Sequence, residues 1–267
     1  LCAHVVLDPE ETPPSHPKRV WRALCRSLRY PDRDTEEALG LAPLLRRAAE
    51  RPEALARFGV EPRFDGDREA RLAAGEHLYL TPALSYIRAT AGRGAGAELT
   101  ENMLLDWLEG HPSLGTESLD RSLRSFAPRG ARMSRPKIYS LLDYRPWSRI
   151  YGYLLSGLAT LAQEAGYAGL TLALDEAEFY ALLSAENRGF ARHLFKAWTA
   201  AAIGTDAVRF DPEELKIGGA GVQQKLPPRY GTGGLYVLYA MTPTPDGVSA
   251  LTGAPDEAAV HELAPLD

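Results

Sequence analysis

Cysteine is scarce. The 267 residues contain two, Cys2 and Cys25, and these form neither a C-x-x-C pair nor part of a Cys/His metal pattern. That excludes a disulfide framework and a structural zinc site, and leaves two reduced thiols as the expectation. There is no apolar run of about 18 residues, the length that crosses a bilayer. No charged-then-apolar leader with a small-residue cleavage site opens the chain either. The protein is therefore expected to be cytoplasmic, with no membrane association. An excess of positive charge is missing too: 30 Lys and Arg stand against 35 Asp and Glu, a formal charge of −5. Non-specific nucleic-acid binding over the whole surface is thereby excluded, though a local basic patch is not. The six histidines, at 4, 16, 77, 111, 193 and 261, show no H-E-x-x-H or paired metal spacing, so structural roles are expected for them. No G-x-S-x-G elbow occurs, and no G-x-G-x-x-G follows a strand and opens a helix, which sets aside serine hydrolases and Rossmann dehydrogenases.

The remaining composition is that of a globular chain, with 45% hydrophobic and 24% charged residues, enough for one large domain or two small ones. Residues 3–7 read as an apolar strand, and Asp8 to Pro17 as a turn-rich loop with Ser15 as a helix cap. Val20, Trp21, Leu24, Cys25 and Leu28 then recur at helical spacing up to Tyr30-Pro31. From Asp34 to about Arg135 the pattern changes to short helices, such as 35–50 and 100–109, with no convincing strand. A segment that long exceeds any ordinary connection, so a helical insertion with its own small core is expected. Ser148 to Glu164 is another amphipathic helix, and Leu170 to Leu174 a continuous apolar run like a central parallel strand buried on both faces. A long helix through Phe179, Leu182, Leu183, Phe190, Leu194 and Trp198 follows, ending near Gly204. A glycine-rich stretch, 218–234, leads to a third apolar strand at 235–240. Strands alternating with helices predict an α/β fold with a mostly parallel sheet. The division expected is 1–34 plus 136–267 for the core and 35–135 for the insertion. The chain starts at Leu1 without Met, already in strand pattern, and 261–267 reads as the start of another element. A piece of a longer protein is the expectation.

The sharpest chemical feature is Asp175-Glu176-Ala-Glu178, directly at the carboxyl end of an apolar strand. In an open parallel sheet, ligands sit beyond the carboxyl ends of the strands, so the two adjacent carboxylates, Asp175 and Glu176, are expected to point into a binding crevice. A nucleotide hydrolase needs such a pair: one carboxylate for Mg²⁺, here Asp175, and one to orient or deprotonate the attacking water, here Glu176. The competing explanation is a strand exiting into a helix whose first turn favours acids.

The longer stretch Gly166-Tyr-Ala-Gly-Leu-Thr-Leu-Ala-Leu-Asp-Glu-Ala-Glu178 closely resembles the Walker B segment of one P-loop family. That family is the AAA-like ATP-binding proteins of bacterial BREX phage-defence clusters. The opening strand with its Pro-rich loop, Asp106-Trp-Leu-Glu-Gly110, Arg145-Pro-Trp147 and Met241-Thr-Pro243 resemble it as well, so the likeness covers most of the chain. The resemblance implies a P-loop NTPase-like, mostly parallel sheet flanked by helices, with a helical insertion. It implies ATP and Mg as ligands, with Asp175 as the metal residue and Glu176 as the general base. It also makes 235–240 the sensor-1 strand, with Thr242 reading the γ-phosphate; a turn hydroxyl before Pro243 is the plainer reading of that threonine. Defence-system proteins are implied as partners, and homo-oligomers as an assembly in which one of Arg188, Arg209 or Arg229 completes a neighbour's site. The chain departs from the family in lacking G-x-x-x-x-G-K-[ST]. Gly92 to Gly96 has no Lys, and Gly218 to Lys225 has the wrong spacing and position. In the family the loop precedes the strand that opens this chain, so it is expected upstream of Leu1.

A second feature is basic: Arg121, Arg124, Arg129, Arg132, Arg135 and Lys137 lie close together. They could contact DNA phosphates, or simply form a solvated face. They support an alternative reading, a non-catalytic scaffold or DNA-binding module that keeps the P-loop architecture without a working phosphate loop.

Overall fold

A computed structural model describes residues 1–32, 36–92, 94–111, 117, 119, 121, 123, 138, 139, 141, 148–211, 215, 226–231 and 233–242. The chain divides into two compact units, one of Leu1–Pro31, Asp143–Thr160 and Ala168–Asp267, the other of Asp32–Leu142 and Leu161–Tyr167.

The first unit is built on strands β1 (Cys2–Val6), β4 (Leu170–Asp175) and β5 (Leu235–Tyr239). β1 pairs with β4 and β4 with β5, both in parallel. Two short strands, β2 (Arg29–Asp32) and β3 (Glu36–Leu39, within the residues of the second unit), give the sheet order β3-β2-β1-β4-β5. β2 runs antiparallel to β1, with Cys2 opposite Arg29, so the sheet is mixed. Alternation sends Ala3, Val5, Leu170, Leu172, Leu174, Leu235 and Val237 to one face, where all are buried. Each such Leu or Val stabilises the fold by about 1.5–3 kcal/mol. The opposite face carries Val6, Tyr236 and Leu238, 48%, 67% and 57% exposed. β4 is therefore fully buried on one face only, not on both as its unbroken apolar run predicts; Thr171 and Ala173 are half-buried.

Helices α1 (Pro17–Ser27), α7 (Arg149–Glu164) and α8 (Ala185–Ile203) complete this unit's core, with α7 contributing its residues up to Thr160. Trp21 of α1 meets Tyr151 of α7, ring centres 6.4 Å apart. The Trp198 indole of α8 donates to the Tyr151 carbonyl at 3.2 Å. The helices approach closely because residue 152 is glycine: a Cβ there would stand 2.7 Å from the Ala197 carbonyl oxygen and 3.0 Å from that of Pro228. Gly169 plays the same part at the entry to β4, where a Cβ would fall 2.1 Å from the Gly234 oxygen that accepts the Leu170 amide.

Three expectations are corrected here. Helix α1 begins at Pro17 with His16 in the cap position and no side-chain cap, so Ser15 does not cap it. The predicted helix 35–50 is strand β3 followed, after Gly40, by α2 (Leu41–Ala49); the segment expected to hold no strand thus contains one. The predicted helix from Phe179 to Ile203 is two elements. A 3-10 helix covers Ala177–Leu182, and α8 then starts afresh with the Ser184 hydroxyl accepting from the Asn187 amide.

The second unit has its own core. It contains α2, α3 (Pro52–Arg57), α4 (Arg68–Ala74), α5 (Leu80–Thr90) and α6 (Ala95–Leu108). Leu44, Leu45, Phe58, Tyr79, Leu84 and Trp107 are all fully buried in it. His77 begins α5 by accepting the Tyr79 and Leu80 amides at Nδ1, a structural use of a histidine. No helix among the described residues is long and apolar enough to cross a membrane.

Candidate functional site

The carboxyl ends of the three parallel strands carry the site. The Leu7 amide donates to the Asp175 carbonyl, the Ala240 amide to Leu174, and the Ala177 amide to Ala240. The segment after β4 is thereby held between its two neighbours. Within it, Glu176 adopts φ 60, ψ 35, the only non-glycine residue with positive φ among those described. That conformation is disfavoured for a side chain with a Cβ and persists only where the surroundings impose it. It turns the chain sharply out of the strand, and the 3-10 helix follows, with the Phe179 amide donating back to the Glu176 carbonyl.

Asp175 and Glu176, adjacent in sequence, are both partly exposed at this end of the sheet. One Asp175 carboxylate oxygen accepts the Glu176 amide at 3.0 Å, and the other lies 3.3 Å from His4 Nε2 on β1. Glu178 completes the group. Its carboxylate lies close enough to Thr242, which follows β5, and to the Glu176 carboxyl to interact with both, while its Oε2 is buried without a hydrogen-bond partner. The negative charge of Glu178 raises the Glu176 pKa above the ordinary glutamate value; partial desolvation, the hydrogen bond to Glu178 and the charge of Asp175 act in the same direction. For Glu178, partial burial pushes upward, but its hydrogen bonds, led by the Thr242 hydroxyl, outweigh it and hold this carboxyl below the ordinary value. The two carboxyls are thus shifted in opposite directions, Glu176 upward and Glu178 downward.

Thr242 and Glu176 are thus brought together, through a residue that sequence reasoning left without a role. Glu178 was missed because its partner lies far along the chain. His4 was read as structural, and its contact with Asp175 spans 171 positions; only the parallel pairing of β1 with β4 could have indicated it. Among the arginines, Arg121 is exposed, and Arg124, Arg129, Arg132, Arg135 and Lys137 lie outside the described residues. Arg188 is exposed on α8 and bonds the Ala181 carbonyl at 3.4 Å. Arg209 is exposed. Arg229 packs beside Gly204, where α8 ends, away from the acidic group.

No cluster of three or more His, Cys, Asp or Glu side chains able to hold a metal occurs among the described residues. Magnesium makes no such demand, since it commonly takes one or two carboxylates and fills its other positions with water and phosphate oxygens. Asp175 fits that habit. Its side chain is 44% exposed, and each oxygen keeps a lone pair beyond the one contact it makes. Chemically, the arrangement offers a hard oxygen ligand, a carboxyl of raised pKa suited to proton transfer, and a hydroxyl beside it. Comparison with protein-family models, curated proteins and solved structures finds no match to this chain.

Proposed function

We propose that the chain is the core of an ATP hydrolase of P-loop, AAA-like architecture, acting in a bacterial phage-defence assembly. The observation that carries the reading is Glu176. It follows Asp175 at the end of a parallel strand flanked on both sides, in a strained backbone conformation, with a raised pKa and a link to Thr242. The resemblance of 166–178 to a Walker B segment supports the same roles.

In this reading Asp175 would hold the magnesium of Mg-ATP, and the ion when bound offsets phosphate charge. Glu176 orients a water on the γ-phosphate and takes its proton as the new P–O bond forms and the bond to the ADP oxygen breaks. A raised pKa makes Glu176 a stronger base once ionised. Thr242, held by Glu178, presents its backbone and side chain at the neighbouring strand end, the station for a residue that reads the terminal phosphate. The reading requires a phosphate-binding loop, and no G-x-x-x-x-G-K-[ST] occurs in the 267 residues. β5 is the edge strand of the described sheet, the position at which a further parallel strand bearing such a loop would pair.

Glu176→Gln is the direct test. ATP binding should persist while turnover falls at least 100-fold, the scale of a lost general base. Unchanged turnover in this variant removes the base assignment.

A further inference from the structure

Arg149 opens helix α7 and is only 5% exposed, yet its Nε has no hydrogen-bond partner. By contrast, the largely buried Arg71 pairs with Glu76 at 3.1 Å. No carboxylate pairs with Arg149 among the described residues. Burial pulls its pKa below the ordinary arginine value. A guanidinium withdrawn from water without a counter-charge is costly to the fold and is seldom kept without use.

The position adds a second positive contribution. The amides of Arg149 and Ile150 are the first of a 16-residue helix and have no acceptor within it. Its first turn contains no acidic residue to offset the positive end of the helix dipole. Helical side chains lean toward the amino terminus, which brings the Arg149 guanidinium to that same end. α7 leads into β4 through 165–169, and a helix that connects parallel strands runs opposite to them, which puts its start toward the end where Asp175 stands. The contact of Tyr151 with Trp21, early in the helix that leaves the carboxyl end of β1, agrees with this placement.

We propose that Arg149 and the amino terminus of α7 form an oxyanion site that takes a phosphate group. The planar fork of the guanidinium binds two phosphate oxygens in parallel, and the helix end supplies amide donors. The proposal rests on α7 alone and stands whether or not Glu176 performs hydrolysis.

The test uses the full chain and inorganic phosphate, without nucleotide. Phosphate should raise the thermal unfolding midpoint in a saturable way that chloride at equal ionic strength does not reproduce. In Arg149→Met the phosphate response should vanish, while the phosphate-free midpoint stays equal to or above that of the wild type, because an unpaired buried charge has been removed. Arg149→Lys keeps the charge but loses the fork, and should weaken phosphate binding at least tenfold by ³¹P NMR titration. This second variant decides the matter if the methionine variant does not fold. Wild-type protein without a saturable response, or lysine and methionine variants with unaltered phosphate affinity, would overturn the proposal. Competition then identifies the source: displacement of phosphate by ATP assigns the site to a nucleotide phosphate, and its absence to free phosphate.

Discussion

Glu176 and Glu178 lie two residues apart and divide one task between them. Glu176 has a left-handed backbone, and the charge of Glu178 two residues on raises its pKa. The account therefore predicts an effect of pH with a definite sign. In the proposed mechanism turnover requires ionised Glu176, and the charge of Glu178 is the main cause that raises its pKa. Glu178→Gln should move the acid limb of the kcat–pH profile to lower pH. A limb that stays in place would separate Glu178 from the chemistry. Stability gives a second readout. The Glu178 pKa is depressed in the folded state, so its contribution is present above the ordinary carboxyl range and lost as pH falls through the lowered value. The difference in unfolding midpoint between wild type and Glu178→Gln should be largest near neutral pH and close in acid. None of this pairing was legible in the sequence. A carboxylate two positions after a Walker B-like Glu looks like any helix-start acid until β5 brings Thr242 beside it.

At the scale of elements, legibility followed the source of each element's stability. α1 and β4 were readable because their own residues carry the pattern, Val20-Trp21-Leu24-Cys25-Leu28 for the helix and the run Leu170 to Leu174 for the strand. β3 was not, because Glu36-Glu-Ala-Leu39 consists of good helix formers and becomes a strand only by joining the sheet beside β2. The break before α8 depended on a single cap, Ser184, inside an otherwise helical pattern. The packing of these elements yields three further outcomes. Gly152→Ala should lower unfolding free energy by about 1–3 kcal/mol in urea titration, because its Cβ would press on two carbonyl oxygens. Leu172→Ala, in the middle of β4 and fully buried, should cost about 2–5 kcal/mol. Tyr236→Ser on the exposed face of β5 should change stability by less than about 0.5 kcal/mol.

For the whole molecule, the sheet and its helices in the first unit hold the acidic group, while the helical unit buries a separate core. A net charge of −5 offers nucleic acid no general attraction, so any contact with DNA must be local. The central claim is that the acidic group at the end of β4 serves ATP hydrolysis. It is tested most directly by measuring magnesium-dependent ATP turnover of the complete gene product beside its Glu176→Gln variant, with nucleotide binding followed in both. The account predicts binding by both proteins and turnover by the wild type alone. Absence of nucleotide binding in either, or equal turnover in the two, would contradict it.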